Sequence, residues 1–174
     1  CIGRNAGAAI TSGARNLAIG YQAATGLTTG GDNTIIGYQA FDAAVDTESY
    51  NVAIGTYAMG AVDQGSHASA DGDKNVAIGY NAAFGGDFGS SNKNFISNVA
   101  IGYGAMDGTG TLDSYNNIFI GEDAGGGTWA GDGSYGCVGI GTGAISGALN
   151  TNSYAVAIGS SALAALTTGA GNTA

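Results

Sequence analysis

Asn75-Val76-Ala77-Ile78-Gly79-Tyr80-Asn81-Ala82 is one copy of a phrase that recurs along the whole chain, and its reading decides the fold. Close copies occupy 16–23, 33–40, 51–58, 98–105 and 117–124, and looser ones 137–144 and 155–162. A truncated copy, Ile2-Gly3-Arg4-Asn5-Ala6, opens the chain, and Asn172-Thr173-Ala174 begins another. The Ile-Gly pair and the Ala three residues after that Gly are present in all nine units that reach them. Side chains alternate across a strand, so Val76 and Ile78 point one way and Ala77 the other. Branched residues suit a half-buried pleated surface, and Gly79 permits a bend that a side chain would forbid.

Successive motif glycines are 17, 17, 18, 24, 23, 19, 20 and 18 residues apart. A fixed phrase at a period near twenty, with elastic insertions, is the pattern of a solenoid, in which stacking supplies the core that no single unit can bury. The expectation is an all-β, parallel β-solenoid (β-roll or β-helix) of about nine coils of 17–24 residues. At the strand-to-strand distance of about 4.8 Å per coil, such a rod would be on the order of 40 Å long. The column before each Gly becomes a structural ladder: Ile19, Ile36, Ile54, Ile78, Ile101, Ile120, Ile140 and Ile158, with Ile2 at its start. The Val/Ile face is expected to fill the coil and the flat Ala/Gly face to admit another chain. On that reading Ile78→Asp or Ile101→Asp should disrupt stacking strongly, because a buried unpaired carboxylate is costly.

The chain reads as one repeat array, with a partial unit at 1–15. Full units follow at 16–32, 33–50, 51–74, 75–97, 98–116, 117–136, 137–154 and 155–171, and 172–174 is again partial. It opens and closes inside a repeat, so the expectation is a segment of a longer protein. Between phrases lies turn chemistry. Leu27–Thr34 and Leu166–Thr173 are near twins, and their Gly, Asn and Asp supply positive-φ positions and local hydrogen bonds. The Asn before each strand either caps the turn or forms a ladder between coils. The stretch after the Gly, with Ala24, Met59, Ala83 or Leu163, admits a short helical turn in some units. Insertions at 60–74 and 83–97, and a milder one at 125–135, are expected to bulge outward on one side, often the binding side of a solenoid.

Gly is 34 of 174 residues and Pro is absent; without a Gly-X-Y triplet this is no collagen. Hydrophobic residues, 44% of the chain and set in strict columns, argue against disorder. The net charge is −9, which keeps an exposed fibre soluble. Arg4, Arg15, Lys74 and Lys93 cannot make a basic track, so neither nucleic acid nor an anionic membrane surface is an expected partner. No long apolar run suggests membrane insertion. Cys1 and Cys137 make no disulfide framework, and Cys137 stands in the Asn column.

Enzyme chemistry finds little support. His67 is the only His, and it lies in an insertion, so any triad would depend on it. The acidic residues are scattered through turns with no repeated pair on one face. Gly139-Ile140-Gly141-Thr142-Gly143 is the phrase with an extra Gly rather than a phosphate loop. Asp71-Gly72-Asp73 and Asp132-Gly133 lack calcium-loop spacing, so no cofactor or metal is expected. Tyr21, Tyr38, Tyr80 and Tyr103 share one column, which either stacks on sugars or packs over neighbouring coils or chains. Phe84, Phe88, Phe95, Trp129 and His67, all in insertions, are the candidate surface-binding residues.

The phrase Asn-Val-Ala-Ile-Gly-x-x-Ala, as in 75–82 and 98–105, resembles the head repeats of YadA-type trimeric autotransporter adhesins. It is similar also to the Asn-Thr-Ala-Ile-Gly-Tyr-x-Ala repeats of bacteriophage tail fibres, which Gly37-Tyr38-Gln39-Ala40 matches. The resemblance covers nearly the whole chain. It implies a homotrimeric parallel β-roll, outside the cell or on a virion, that attaches to a cell-surface glycan or protein receptor. These units are longer than the compact adhesin coil, which favours the fibre. The expected function is a structural and adhesive fibre segment without enzymatic activity. The alternatives are a glycan-degrading or an ice- or mineral-binding solenoid module.

Overall fold

The computed structural model describes residues 1–62, 71–85, 93–110 and 112–174. Among them there is no helix. The strands are β1 (Leu17–Ile19), β2 (Thr34–Ile36), β3 (Val52–Ile54), β4 (Val76–Ile78), β5 (Phe95–Ile96) and β6 (Val99–Ile101). They continue as β7 (Ser114–Tyr115), β8 (Ile118–Ile120), β9 (Ala130–Tyr135), β10 (Val138–Ile140), β11 (Asn150–Ser153) and β12 (Val156–Ile158). Every pairing is parallel. The phrase strands form an eight-stranded sheet in the order β1-β2-β3-β4-β6-β8-β10-β12, and β5, β7, β9 and β11 form a four-stranded sheet. The chain is a parallel β-solenoid.

The phrase sets the register without a slip. Ile54 pairs with Ile78 and Ile78 with Ile101, so the isoleucines stack one per coil. Single bridges extend this sheet at both ends, Ile2 to Ile19 and Val156 to Thr173. Gly79 shows why the next column is glycine. Its φ is +136°, and a Cβ there would lie 2.3 Å from the carbonyl oxygen of Gly102 in the following coil. Backbone meets backbone along this corner, and no side chain fits between the coils.

The direction of the faces reverses the expectation. The middle residue of each phrase strand points into the coil: Ala18, Ile35, Ala53, Ala77, Ala100, Phe119 and Ala157 are fully buried. The Ile ladder points outward. Ile78 is 37% exposed, Ile140 36% and the terminal Ile158 64%, and Ile19, Ile36, Ile54, Ile101 and Ile120 are half-buried. The interior is too narrow for the branched face, because other residues already occupy it.

One occupant is the asparagine column. Asn33, Asn51, Asn75, Asn98 and Asn117 are buried. Each Oδ1 accepts the backbone N–H of its counterpart in the next coil, as Asn75 N–H donates to Asn51 and Asn98 N–H to Asn75, both at 2.9 Å. Each Nδ2 donates across the coil to the opposite wall, Asn75 to Phe95 O at 2.7 Å and Asn98 to Ser114 O at 2.9 Å. The ladder thus ties the two walls and successive coils together, and it ends where Cys137 N–H donates to Asn117 Oδ1.

The second occupant follows the corner. Ala24, Phe41, Met59, Ala83, Met106 and Ile145 are buried, and with Leu163 all have φ between 51 and 57°. Left-handed residues cannot belong to a right-handed helical turn, so the expected short helical turns at Ala24, Met59, Ala83 and Leu163 are absent. Each such residue costs about 1–2 kcal/mol of backbone strain. The conformation aims its N–H at the next coil, as Ala83 N–H donates to Ala105 O at 2.8 Å, while Asn81 N–H donates back to Thr56 O. Hydrogen bonds in both axial directions offset the strain.

Interior volume is shared between the two inward columns. Where the strand contributes Phe119, the corner contributes Gly125 and the next strand Gly139; a Cβ on either would lie within 2.7 Å of the Phe119 ring. Trp129 stands edge-on to that ring at 5.9 Å and donates Nε1–H to Gly125 O at 3.0 Å.

Candidate interaction face

The eight phrase strands present a continuous apolar face to solvent. One outward column holds Leu17, Thr34, Val52, Val76, Val99, Ile118, Val138 and Val156, and the other is the Ile ladder. Thr34 is the only polar side chain on it. At about 4.8 Å per strand the face runs roughly 35 Å along the axis. Apolar patches above a few hundred Å² on a folded chain mark interaction sites.

Its two borders differ. On one side runs the residue before the Asn column, held at φ of about 60°: Arg15, Asp32, Tyr50, Lys74, Ser97 and Asn116, with Tyr154 before Ala155. This rim is polar and mostly exposed, and Arg15 is paired there with Asp32. On the other side, past the glycine corner, runs the tyrosine column. Tyr21 stacks on Tyr38 at 5.2 Å and 12°, and Tyr80 on Tyr103 at 5.1 Å and 12°. Tyr57 lies edge-on between the pairs, 5.6 Å from Tyr38 and 6.2 Å from Tyr80. Its unit carries Thr56 in the column and Tyr57 one place later, which turns the ring. The Arg4 guanidinium lies 5.9 Å over Tyr21. Beyond Tyr103 the column continues as Glu122, Thr142 and Ser160.

Ring faces turned towards one another are closed to a sugar, which stacks on a face and not on an edge. Of the two roles open to the tyrosines, the geometry is that of packing over neighbouring coils. The insertion residues divide. Phe84 is 37% exposed and stands edge-on to Tyr57 at 6.2 Å, joining the aromatic border. Phe95 is fully buried and Trp129 is 5% exposed, so both are corrected from surface candidates to interior residues: Phe95 begins β5 with its ring inside the coil, and Trp129 packs on Phe119. His67 and Phe88 lie outside the described residues.

Among the described residues, no three His, Cys, Asp or Glu side chains are grouped to hold a metal ion. Cys1 is exposed, Cys137 is buried, and no disulfide joins them. The buried Glu48 carboxylate accepts the backbone N–H groups of Val45 and Asp46. Burial raises the Asp107 carboxyl above its ordinary range, and the neighbouring Asp123 charge adds to the shift. No helix among the described residues is long and apolar enough to cross a membrane. No family model, curated protein or solved structure matches the chain.

The outward branched face was the feature sequence reasoning missed, and the phrase held its signal. Asn75 and Ala77 share a parity, as do Val76 and Ile78. An Asn ladder inside the coil therefore requires Ala inside and Ile outside.

Proposed function

We propose that the chain is a segment of an extracellular attachment fibre, in which the outward Val/Ile face joins copies of itself into a homotrimer. The observation that carries this reading is the apolar face, interrupted only by Thr34, on a chain of net charge −9. A solvated face would have no reason to repeat branched apolar residues through eight strands. Closed symmetry covers such a face without leaving it open to further association. The polar rim beside it fits an interface with an apolar centre and a wet border. The choice of three chains rests on the resemblance to trimeric adhesins and phage fibres. So do the extracellular setting, on a virion tail fibre or a cell surface, and the task of holding a host glycan or protein receptor.

In this reading the nine Ile-Gly units are nine coils of a mechanical spacer. Light scattering should give three times the chain mass. Ile78→Asp combined with Ile101→Asp should yield a single chain with unchanged far-ultraviolet dichroism. A wild-type chain that stays monomeric at high concentration would remove the interface, and loss of fold in the double variant would return the isoleucines to the core.

A further inference from the structure

Among the described residues three tyrosine pairs stack between successive coils: Tyr115 on Tyr135 at 5.5 Å on the far wall, and Tyr21 on Tyr38 and Tyr80 on Tyr103 in the column beside the phrase strands. We propose that Tyr80 and Tyr103, and likewise Tyr21 and Tyr38, are poised for oxidative coupling into a carbon–carbon staple between successive coils. The proposal rests on the tyrosine column alone and does not require the assembly described above.

Tyr80 and Tyr103 are 42% and 58% exposed, so an oxidant can reach both phenols. Their rings are near-parallel at 5.1 Å. The backbone fixes that proximity: Val76–Ile78 pairs in register with Val99–Ile101, and Gly104 N–H donates to Tyr80 O at 2.9 Å. Tyr21 and Tyr38 repeat the arrangement at 5.2 Å, with Gln39 N–H donating to Tyr21 O at 2.9 Å. Holding two reactants side by side converts a bimolecular step into an intramolecular one. Tyr50 and Tyr154 are more exposed than most, at 58% and 68%, yet neither has a ring neighbour among the described residues. They are internal controls for exposure without proximity.

The oxidant is a peroxide-driven one-electron oxidant. Each phenol gives up one electron to it and its O–H proton to water. The two radicals then form one bond between ring carbons ortho to the oxygens. The hydrogens on those carbons move to the oxygens through solvent, restoring both aromatic rings and both hydroxyls. Two phenols and one hydrogen peroxide give one biphenol and two waters. The staple closes a loop of chain around one coil, and it forms on the surface, away from the packed interior.

Dilute protein, prepared as an equal mixture of nitrogen-15-labelled and unlabelled chains, is treated with a peroxidase and hydrogen peroxide. It is then digested and mapped by mass spectrometry. Peptides joining Tyr80 to Tyr103 and Tyr21 to Tyr38, lighter by two hydrogens and never of mixed label, should exceed any linkage through Tyr50 or Tyr154 roughly ten-fold or more. Tyr103→Phe, which keeps the ring, should remove the first product and leave the second. Mixed-label linkages at these positions, linkages dominated by Tyr50 or Tyr154, equal yields from denatured chains, or no biphenol product would each overturn the proposal.

Discussion

The two walls of the coil are built to different tolerances. The phrase wall runs through eight strands with every residue opposite its counterpart. The opposite wall has four strands, two of them only two residues long, and its register shifts between Asn150 and Asn152. The difference follows from where length variation is placed. Spacings of 17 to 24 residues all fall between one phrase and the next, so the far wall and its loops absorb them. The phrase wall is held by columns that tolerate no insertion: a corner without side chains and an amide ladder with fixed donors and acceptors. The far wall needs only to offer a carbonyl to each asparagine. Glu48, Gly72, Phe95, Ser114 and Ser134 all do so, although their side chains have nothing in common.

The sharpest way to break the phrase wall is from within. Ala77→Asp would place a carboxylate in the fully buried strand column, among residues with no cation to meet it. The expected loss is about 3–5 kcal/mol, read by urea denaturation. Ile78→Asp, one residue on and facing outward, should leave the unfolding of a single chain almost unchanged. Equal losses for the two would refute the assignment of faces.

Breaking the tie between the walls should cost less. Asn75→Ala strips the Phe95 carbonyl and the Asn98 backbone N–H of their partners in one step. Each buried group left unpaired costs about 1–3 kcal/mol, so the denaturant midpoint should fall clearly. Asn16 sits at the end of the ladder and is only half-buried, so the same change there should have the smaller effect. A null result at Asn75 would make the ladder a consequence of stacking and not a cause.

A third test concerns the interior shared by both walls. Gly139→Ala restores the residue most common in its column, yet the new methyl would lie 2.7 Å from the Phe119 ring. Overpacking of this kind typically costs about 1–3 kcal/mol. Combining it with Phe119→Leu should cost less than the two changes summed, because the residues share one space. Additive losses would show that the volumes are independent.

These tests mark what the sequence disclosed. The coil, its period and the glycine corner were legible, because a backbone-to-backbone contact leaves no alternative residue. The inward face was not, because Val, Ala and Ile are all apolar and alternation carries no contrast. Parity with Asn75 would have resolved it. The left-handed Phe41, Met59 and Ile145 were illegible for a different reason: local preference opposes that conformation, and only burial and the hydrogen bonds between coils hold it. Phe95 and Trp129 read as surface residues because insertions are generally outward, yet each lies where the far wall turns back into the coil.

The smallest expected effect lies on the corner itself. Burial and the Asp123 charge raise the folded-state carboxyl of Asp107 above its ordinary value. A group so raised favours folding while protonated, and that contribution is lost as pH rises through its folded-state value. At neutral pH Asp107 is therefore a mild liability, and Asp107→Asn should raise the melting temperature slightly. The gain should shrink as pH falls into the ordinary carboxylate range, where the wild-type carboxyl is itself protonated. A gain that stayed constant across that range would assign it to packing, and a loss at neutral pH would mean that the carboxylate is needed where it stands. The corner tolerates this charge only because it is partly open to water; the same substitution logic applied to the amide ladder, where no water enters, has no such latitude.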